Sequence, residues 1–209
     1  MLLDQDRIAE LLEPYISSPR NLGVDWTRVF GQLASYLDLL VKWNNRMNLT
    51  AIRSPEEMVR RHFGESLFAG LHLGPCSSLL DFGSGAGFPG LPIQILWPNL
   101  AVTLAEARQK KASFLREVVR SLDLPTEIWA DRVEQMPADR RFSVVTLRAV
   151  DAMGQAVAAA SPRAEDRLIL LGTQNTAYPG IAQEFHGPAI IAIPQSSEGA
   201  LMVYTRGNR

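Results

Sequence analysis

The chain is poor in sulfur, in excess charge and in long apolar runs. Its 209 residues include one cysteine, Cys76, so no internal disulfide can form and a reducing cytoplasm is the expected setting. No apolar run reaches the roughly 18–20 residues of a membrane span. The N-terminus, Met1-Leu2-Leu3-Asp4-Gln5-Asp6, turns acidic at once and does not read as a secretory signal. With no visible route to glycosylation, the sequon Asn48-Leu49-Thr50 reads as a chance match. The three histidines, His62, His72 and His186, are scattered without metal-ligand spacing, and no metal site is expected. A formal net charge of −1 gives no global pull toward nucleic acid, so any such binding must come from a local patch. No nucleophile–base pair stands out.

What is present is an ordinary globular composition, 46% hydrophobic and 21% charged, with enough chain to bury a full core. The first part reads as helical. Ile8, Leu11, Leu12 and Tyr15 share a face of a short helix that stops near Ser17-Ser18-Pro19. Trp26, Val29, Phe30, Leu33, Leu37, Leu40 and Val41 give a strong amphipathic helix. Trp43 to Thr50, with three asparagines, reads as turn-like. Ser54-Pro55-Glu56-Glu57 then announces a helix, with Ser54 as N-cap and Pro55 at the first helical position.

From about residue 78 the rhythm becomes strand–helix alternation. Strands are predicted at Ser78–Phe82, Ala101–Ala105, Thr126–Ala130, Ser143–Leu147 and Arg167–Leu171. Helices fall at Leu91–Trp97, Lys110–Leu122 and Asp151–Ala160, with one turn at Val133–Met136. A hairpin of Ala189–Ile193 and Leu201–Thr205 closes the chain. The expectation is an α/β fold, Rossmann-like, with a mostly parallel sheet, helices on both faces and antiparallel strands at the end. Residues 1–72 would form an N-terminal helical extension and 73–209 the α/β domain.

The chain is organised around Asp81-Phe82-Gly83-Ser84-Gly85-Ala86-Gly87-Phe88-Pro89-Gly90, a strand end followed by a glycine-rich turn. Such a turn admits positive φ and close ligand approach, and its free N–H groups suit polar ligand groups. A P-loop needs Lys-Ser/Thr after the glycines, and none follows. The dinucleotide fingerprint fails at its third glycine, where Phe88 stands. The S-adenosylmethionine loop of Rossmann-like methyltransferases, Asp81-x-Gly83-x-Gly85-x-Gly87, is the good match. Glu106, at the end of the second strand, can accept hydrogen bonds from both ribose hydroxyls of an adenosine. The turn Asp131-Arg132-Val133-Glu134 would lie beside the adenine, and Arg148 at the carboxyl edge of the sheet. Arg148 also has a plainer reading as a salt-bridge partner of Asp151 or Glu134.

These residues resemble the bacterial small-subunit (16S) ribosomal RNA methyltransferase G family, also called glucose-inhibited division protein B. The resemblance runs from about Trp43 to Leu171. It rests on Trp43-Asn44 through Asn48-Leu49-Thr50, Arg61-His62, the loop ending Phe88-Pro89-Gly90, Arg132-Val133-Glu134 and Arg148-Ala149. It implies N7-methylation of a guanine in 16S rRNA, with S-adenosyl-L-methionine as methyl donor. Gly83, Phe88, Val133, Glu134 and Arg148 would contact the cofactor together with Gly85, Gly87 and Glu106, and Arg148 would be the catalytic-site residue. Three positions depart from the family pattern: Glu65 replaces an Asp, Leu147 a Ser, and Leu171-Gly172 a Lys-Gly. A methyltransferase of another substrate, and a non-catalytic cofactor- or RNA-binding module, therefore stay open beside the leading reading.

N7 of guanine carries a lone pair and no proton, so no general base is required and positioning is the main task. Partners follow from the resemblance: 16S rRNA or the small ribosomal subunit, with no membrane, no metal, and a monomer as the working form. Two stretches, Lys42–Arg61 and Glu106–Arg120, each carry an excess of three positive charges and are the candidate phosphate contacts. His62 is a candidate for RNA contact or domain packing, and Phe88 and Trp43 for base stacking or core.

Overall fold

The computed structural model describes residues 2–17, 23–150, 152–174 and 181–207. The chain opens with α1 (Gln5–Ile16), whose N-cap Asp4 accepts the Arg7 N–H, and α2 (Trp26–Met47), capped by Asp25 in the same way. The predicted stop of α1 at Ser18-Pro19 lies outside the described residues. α2 is longer than expected, because Trp43 to Met47 continue the helix rather than turning. The cause is tertiary: Trp43 packs on Phe114, ring centroids 5.6 Å apart. Asn44 is buried in the helix and from there ties down the next turn. Its Oδ1 accepts the Thr50 N–H at 2.9 Å and its amide donates to the Ile52 carbonyl. The turn itself begins at Asn48, in the left-handed region at φ 49°.

Ser54 caps α3 (Pro55–Glu57), as its sequence announces. The helix then widens into a π-helical segment, Met58–Gly64, before α4 (Glu65–Leu71). Gly64 is needed there, since a Cβ would stand 2.6 Å from the Tyr15 ring of α1.

Seven strands follow: β1 (Ser78–Phe82), β2 (Ala101–Ala105), β3 (Glu127–Trp129), β4 (Phe142–Arg148), β5 (Ala164–Thr173), β6 (Phe185–Ala192) and β7 (Gly199–Arg206). They form one sheet in the order β3-β2-β1-β4-β5-β7-β6. The first five are parallel, while β7 runs antiparallel to both β5 and β6. β6 starts earlier than expected, with a bulge between His186 and Ala189. Gly187 takes φ 120° there and Pro188 has no N–H to give the ladder.

Between the strands run α5 (Gly90–Leu96), α6 (Gln109–Ser121) and α7 (Met153–Ala160), with 3₁₀ turns at Val133–Gln135 and Ser161–Arg163. Asp151, expected to open α7, lies outside the described residues. Alternation along β1 divides the core. Leu79 faces the apolar layer that contains Leu37, Leu91 and Phe114 of α2, α5 and α6, while Leu80 faces the layer with Val157 of α7. The sheet is thus covered on both faces, and the N-terminal helices share one core with it. The strand order reverses between the parallel neighbours β1 and β4, which opens a crevice at their carboxyl ends, where open α/β sheets bind ligands.

Candidate active site

The glycine loop leaves β1 at that crevice, held from below by Asp81. This carboxyl is fully buried, its Oδ2 accepting the Gly90 N–H at 3.1 Å and its Oδ1 the Thr146 hydroxyl at 3.0 Å. Thr146 is its register neighbour on β4. Burial pushes the Asp81 pKa up to about 6 despite those donors. Ser84 fixes the turn from within, donating its hydroxyl to the Asp81 carbonyl and accepting the Gly87 and Phe88 N–H groups on its own carbonyl. Tyr36 of α2, buried, donates its hydroxyl to the Ala86 carbonyl.

The glycines divide the work. A Cβ on Gly90 would stand 2.3 Å from Leu104, so Gly90 supplies the close helix–strand approach that the dinucleotide frame assigns to its third glycine. A Cβ on Gly87 would meet Leu91 at 2.4 Å. Gly85, at φ 60°, has open space where a Cβ would point, with no atom closer than 3.9 Å. That open side faces a cavity of about 770 Å³.

Gly83, Gly85, Phe88, Glu106, Val133, Glu134 and Arg148 all line this one cavity, and Gly87 does not. Glu106 is buried at the end of β2, with Oε2 accepting the Gly85 N–H at 2.9 Å and Oε1 the Arg108 N–H at 2.7 Å. The carboxylate is thereby fixed in orientation and keeps lone pairs for hydroxyl donors. Phe88 turns its ring into an aromatic cluster with Tyr36, Phe63 and His62, the last stacked at 4.6 Å. Trp43 is half-buried and packs against the same core.

Sequence reasoning missed part of the lining. Leu49 and Thr50 close the cavity from the loop between α2 and α3, and Arg108 and Lys111 from the start of α6. His62 lines it as well, Nε2 lying 2.7 Å from the Thr50 hydroxyl. Burial, with the charges of Arg148 and Arg61, lowers its pKa to about 3, so the imidazole is neutral. Among the described residues Arg148 does not pair with Glu134, and Asp151 lies outside them. Its Nη2 donates to Glu65 Oε2 at 2.6 Å and to the Arg61 carbonyl at 2.7 Å. Its Nη1 is buried without a partner among the described residues, as is His62 Nδ1. Arg61–Glu65 is legible as an i,i+4 pair, but nothing local signals that Glu65 reaches Arg148.

Part of the positive charge of the Lys42–Arg61 stretch is paired. Arg60 lies 3.5 Å from Glu56 and Arg61 3.2 Å from Glu65, while Arg53 donates to Asn48. Among the described residues no three His, Cys, Asp or Glu side chains converge to hold a metal ion. No described helix is long and apolar enough to cross a membrane.

The model of the family described as rRNA small subunit methyltransferase G matches residues 30–177, from α2 through β5 and so across the whole cavity. The chain belongs to this family. The methyltransferase G of Methylobacillus flagellatus is 46% identical over 132 residues, covering 62% of this chain and 64% of that one. The methyltransferase G of Xylella fastidiosa strain 9a5c is 39% identical over 173 residues, covering 80% and 81%. The chain thus spans somewhat less than two thirds of the first relative, and 60% of a third, from Chromobacterium violaceum. Among solved structures, a mutant of MtNAS in complex with S-adenosylmethionine superposes with TM-score 0.59 at 11% identity, over 98% of both chains. At that identity the likeness concerns the fold alone, which is the Rossmann-like fold of S-adenosylmethionine-dependent methyltransferases.

Proposed function

We propose that this methyltransferase G family member transfers a methyl group from S-adenosyl-L-methionine to N7 of a guanine in 16S ribosomal RNA. One observation carries the cofactor half of the reading. Gly85 leaves open the space a side chain would fill, and the Glu106 carboxylate is fixed beside it by two backbone N–H groups. An adenosine fits this arrangement, its ribose at Glu106 and its adenine against Val133 and Glu134, within a cavity of about 770 Å³. The remaining end, at Arg148 and His62, is then where the methyl group and its acceptor meet. The cofactor supplies an electrophilic methyl on sulfur. The chain positions the two reactants and provides no base, because N7 needs none.

The RNA half rests on family membership, and exposed Arg108, Lys110 and Arg116 beside the cavity are the proposed phosphate contacts. We also propose that residues 1–72 act as a helical extension of the 73–209 domain, and that the protein works as a monomer in the cytoplasm, where ribosomes are assembled. Calorimetry with S-adenosylmethionine and NAD tests the cofactor. Binding of the former alone is expected, and NAD binding without S-adenosylmethionine binding would contradict the reading. Transfer of labelled methyl groups to unmodified small ribosomal subunits tests the substrate, and a labelled protein with unlabelled RNA would redirect it.

A further inference from the structure

We propose that Glu65 is a positioning residue for Arg148, holding the guanidinium by one edge so that the other is presented to the ligand. The inference rests on the functional reading above and assigns a task that the reading leaves open.

The guanidinium is planar, with five N–H donors in a fixed fork. In this protein the Nη2 edge is fully engaged, by Glu65 Oε2 at 2.6 Å and the Arg61 carbonyl at 2.7 Å. Glu65 is itself held from the other side, where Oε1 accepts from Arg61 Nε at 3.2 Å. The two paired side chains are only 13% and 11% exposed, so the pair is weakly screened by solvent and salt. Arg61 and Glu65 sit at the π-helical segment and the start of α4, whereas Arg148 ends β4. The helical extension therefore reaches across to the carboxyl edge of the sheet and clamps its arginine.

The opposite edge carries the second half of the argument. Nη1 is buried without an acceptor among the described residues, in a side chain that lines the cavity. A buried cationic donor left unpaired is costly, and an acceptor oxygen on a bound ligand relieves that cost. Two oxygens of the proposed reaction have this chemistry: the carboxylate of the cofactor's amino-acid end and O6 of the guanine. Neighbouring His62 is neutral and does not compete as a cation. If Glu65 were absent, Arg148 would be free to rotate toward solvent or toward other acids, and Nη1 would lose its aim.

The test is a double-mutant cycle on the 209-residue chain with Glu65→Gln, Arg148→Met and the combination. Dissociation constants are measured for S-adenosylhomocysteine and for 5′-methylthioadenosine, which lacks the carboxylate, and kcat/KM for the RNA at saturating cofactor. Glu65→Gln is expected to weaken one readout by about tenfold. Weaker S-adenosylhomocysteine binding with unchanged methylthioadenosine binding names the cofactor carboxylate, and a lower kcat/KM for RNA alone names the guanine. In the Arg148→Met background the same substitution is expected to add less than about twofold, and Glu65→Asp, which keeps the charge, to restore part of the loss. An additive effect in that background, or unchanged readouts in a folded Glu65→Gln protein, would overturn the assignment. Glu65→Met carries the same cycle should Glu65→Gln not fold. Wild-type protein that binds no S-adenosylhomocysteine would instead overturn the functional reading and leave the clamp unused.

Discussion

The Asp81 carboxylate and the Gly90 amide, nine residues apart, close the two ends of the glycine loop through a buried hydrogen bond of 3.1 Å. The strand that feeds the loop and the helix that leaves it are locked at one point, beneath the cavity. That lock, with the Ser84 and Tyr36 bonds above it, sets the shape the loop offers a ligand.

Gly90→Ala places a methyl 2.3 Å from Leu104 and 2.8 Å from Asp81 Oδ2. Relief requires α5 to move off β1 and β2, and overpacking of this kind costs about 1–3 kcal/mol. Gly85→Ala meets nothing closer than an ordinary van der Waals contact of 3.9 Å and costs only the strain of φ 60°, about 1 kcal/mol. Urea denaturation of the two variants is expected to show the larger loss for Gly90→Ala. Binding is expected to show the reverse order, with Gly85→Ala losing affinity while folded. Equal losses in both assays would remove the distinction between the two glycines.

The pH dependence of stability pits two buried groups against each other. The folded-state pKa of Asp81 is about 6, above its ordinary 3.8, so the folded protein binds the proton first and Asp81 costs stability as pH rises from about 4 to 6. His62 is displaced the other way, from 6.5 to about 3. The unfolded chain takes that proton first, and His62 costs stability as pH falls from about 6.5 toward 3. The two slopes oppose each other between about pH 4 and 6. Asp81→Asn is expected to expose the His62 slope, a loss approaching 1.4 kcal/mol per pH unit on acidification. His62→Phe is expected to expose the opposite slope. Denaturation midpoints from pH 4 to 7 decide it, and identical profiles for both variants would refute the assignment.

Glu106→Gln replaces one accepting oxygen with an amide that cannot accept the Gly85 or Arg108 N–H. The loop then carries an unsatisfied N–H, at about 1–3 kcal/mol, and the ribose loses half its acceptor. A fall of tenfold or more in affinity for S-adenosylmethionine is expected by calorimetry. Unchanged affinity would place the ribose elsewhere.

Tyr36→Phe deletes the hydroxyl that donates to the Ala86 carbonyl while keeping the ring stacked on Phe63 and Phe88. The expected cost is about 1–2 kcal/mol in stability, with the carbonyl left buried and unpaired. Thermal denaturation with and without cofactor measures it.

Much of this site is written locally. β1, β2 and the glycine loop carry their own signals in apolar runs, turn residues and a strand-end acid. What is not legible is tertiary. The apolar spacing of Met58, Val59, Phe63 and Leu67 suits an α-helix, and nothing in it announces the π-helical widening that Gly64 and Tyr15 accommodate. Three asparagines near Met47 suggest a turn, yet Asn44 works from inside the helix and only Asn48 turns the chain. Arg148 could be placed at the sheet edge by its strand, but its partner lies 83 residues away at the start of α4. Pairing across that distance is fixed by tertiary packing of the N-terminal helices beside the sheet.

The proposed activity of this cavity is methylation of N7 of a guanine in 16S rRNA. Its most direct measurement is the mapping of 7-methylguanine in 16S rRNA from a strain lacking the gene, complemented with wild-type protein or with Arg148→Met. One 7-methylguanine is expected to vanish in the deletion, to return with wild type and to remain absent or strongly reduced with Arg148→Met. An unchanged modification pattern in the deletion strain would contradict the account.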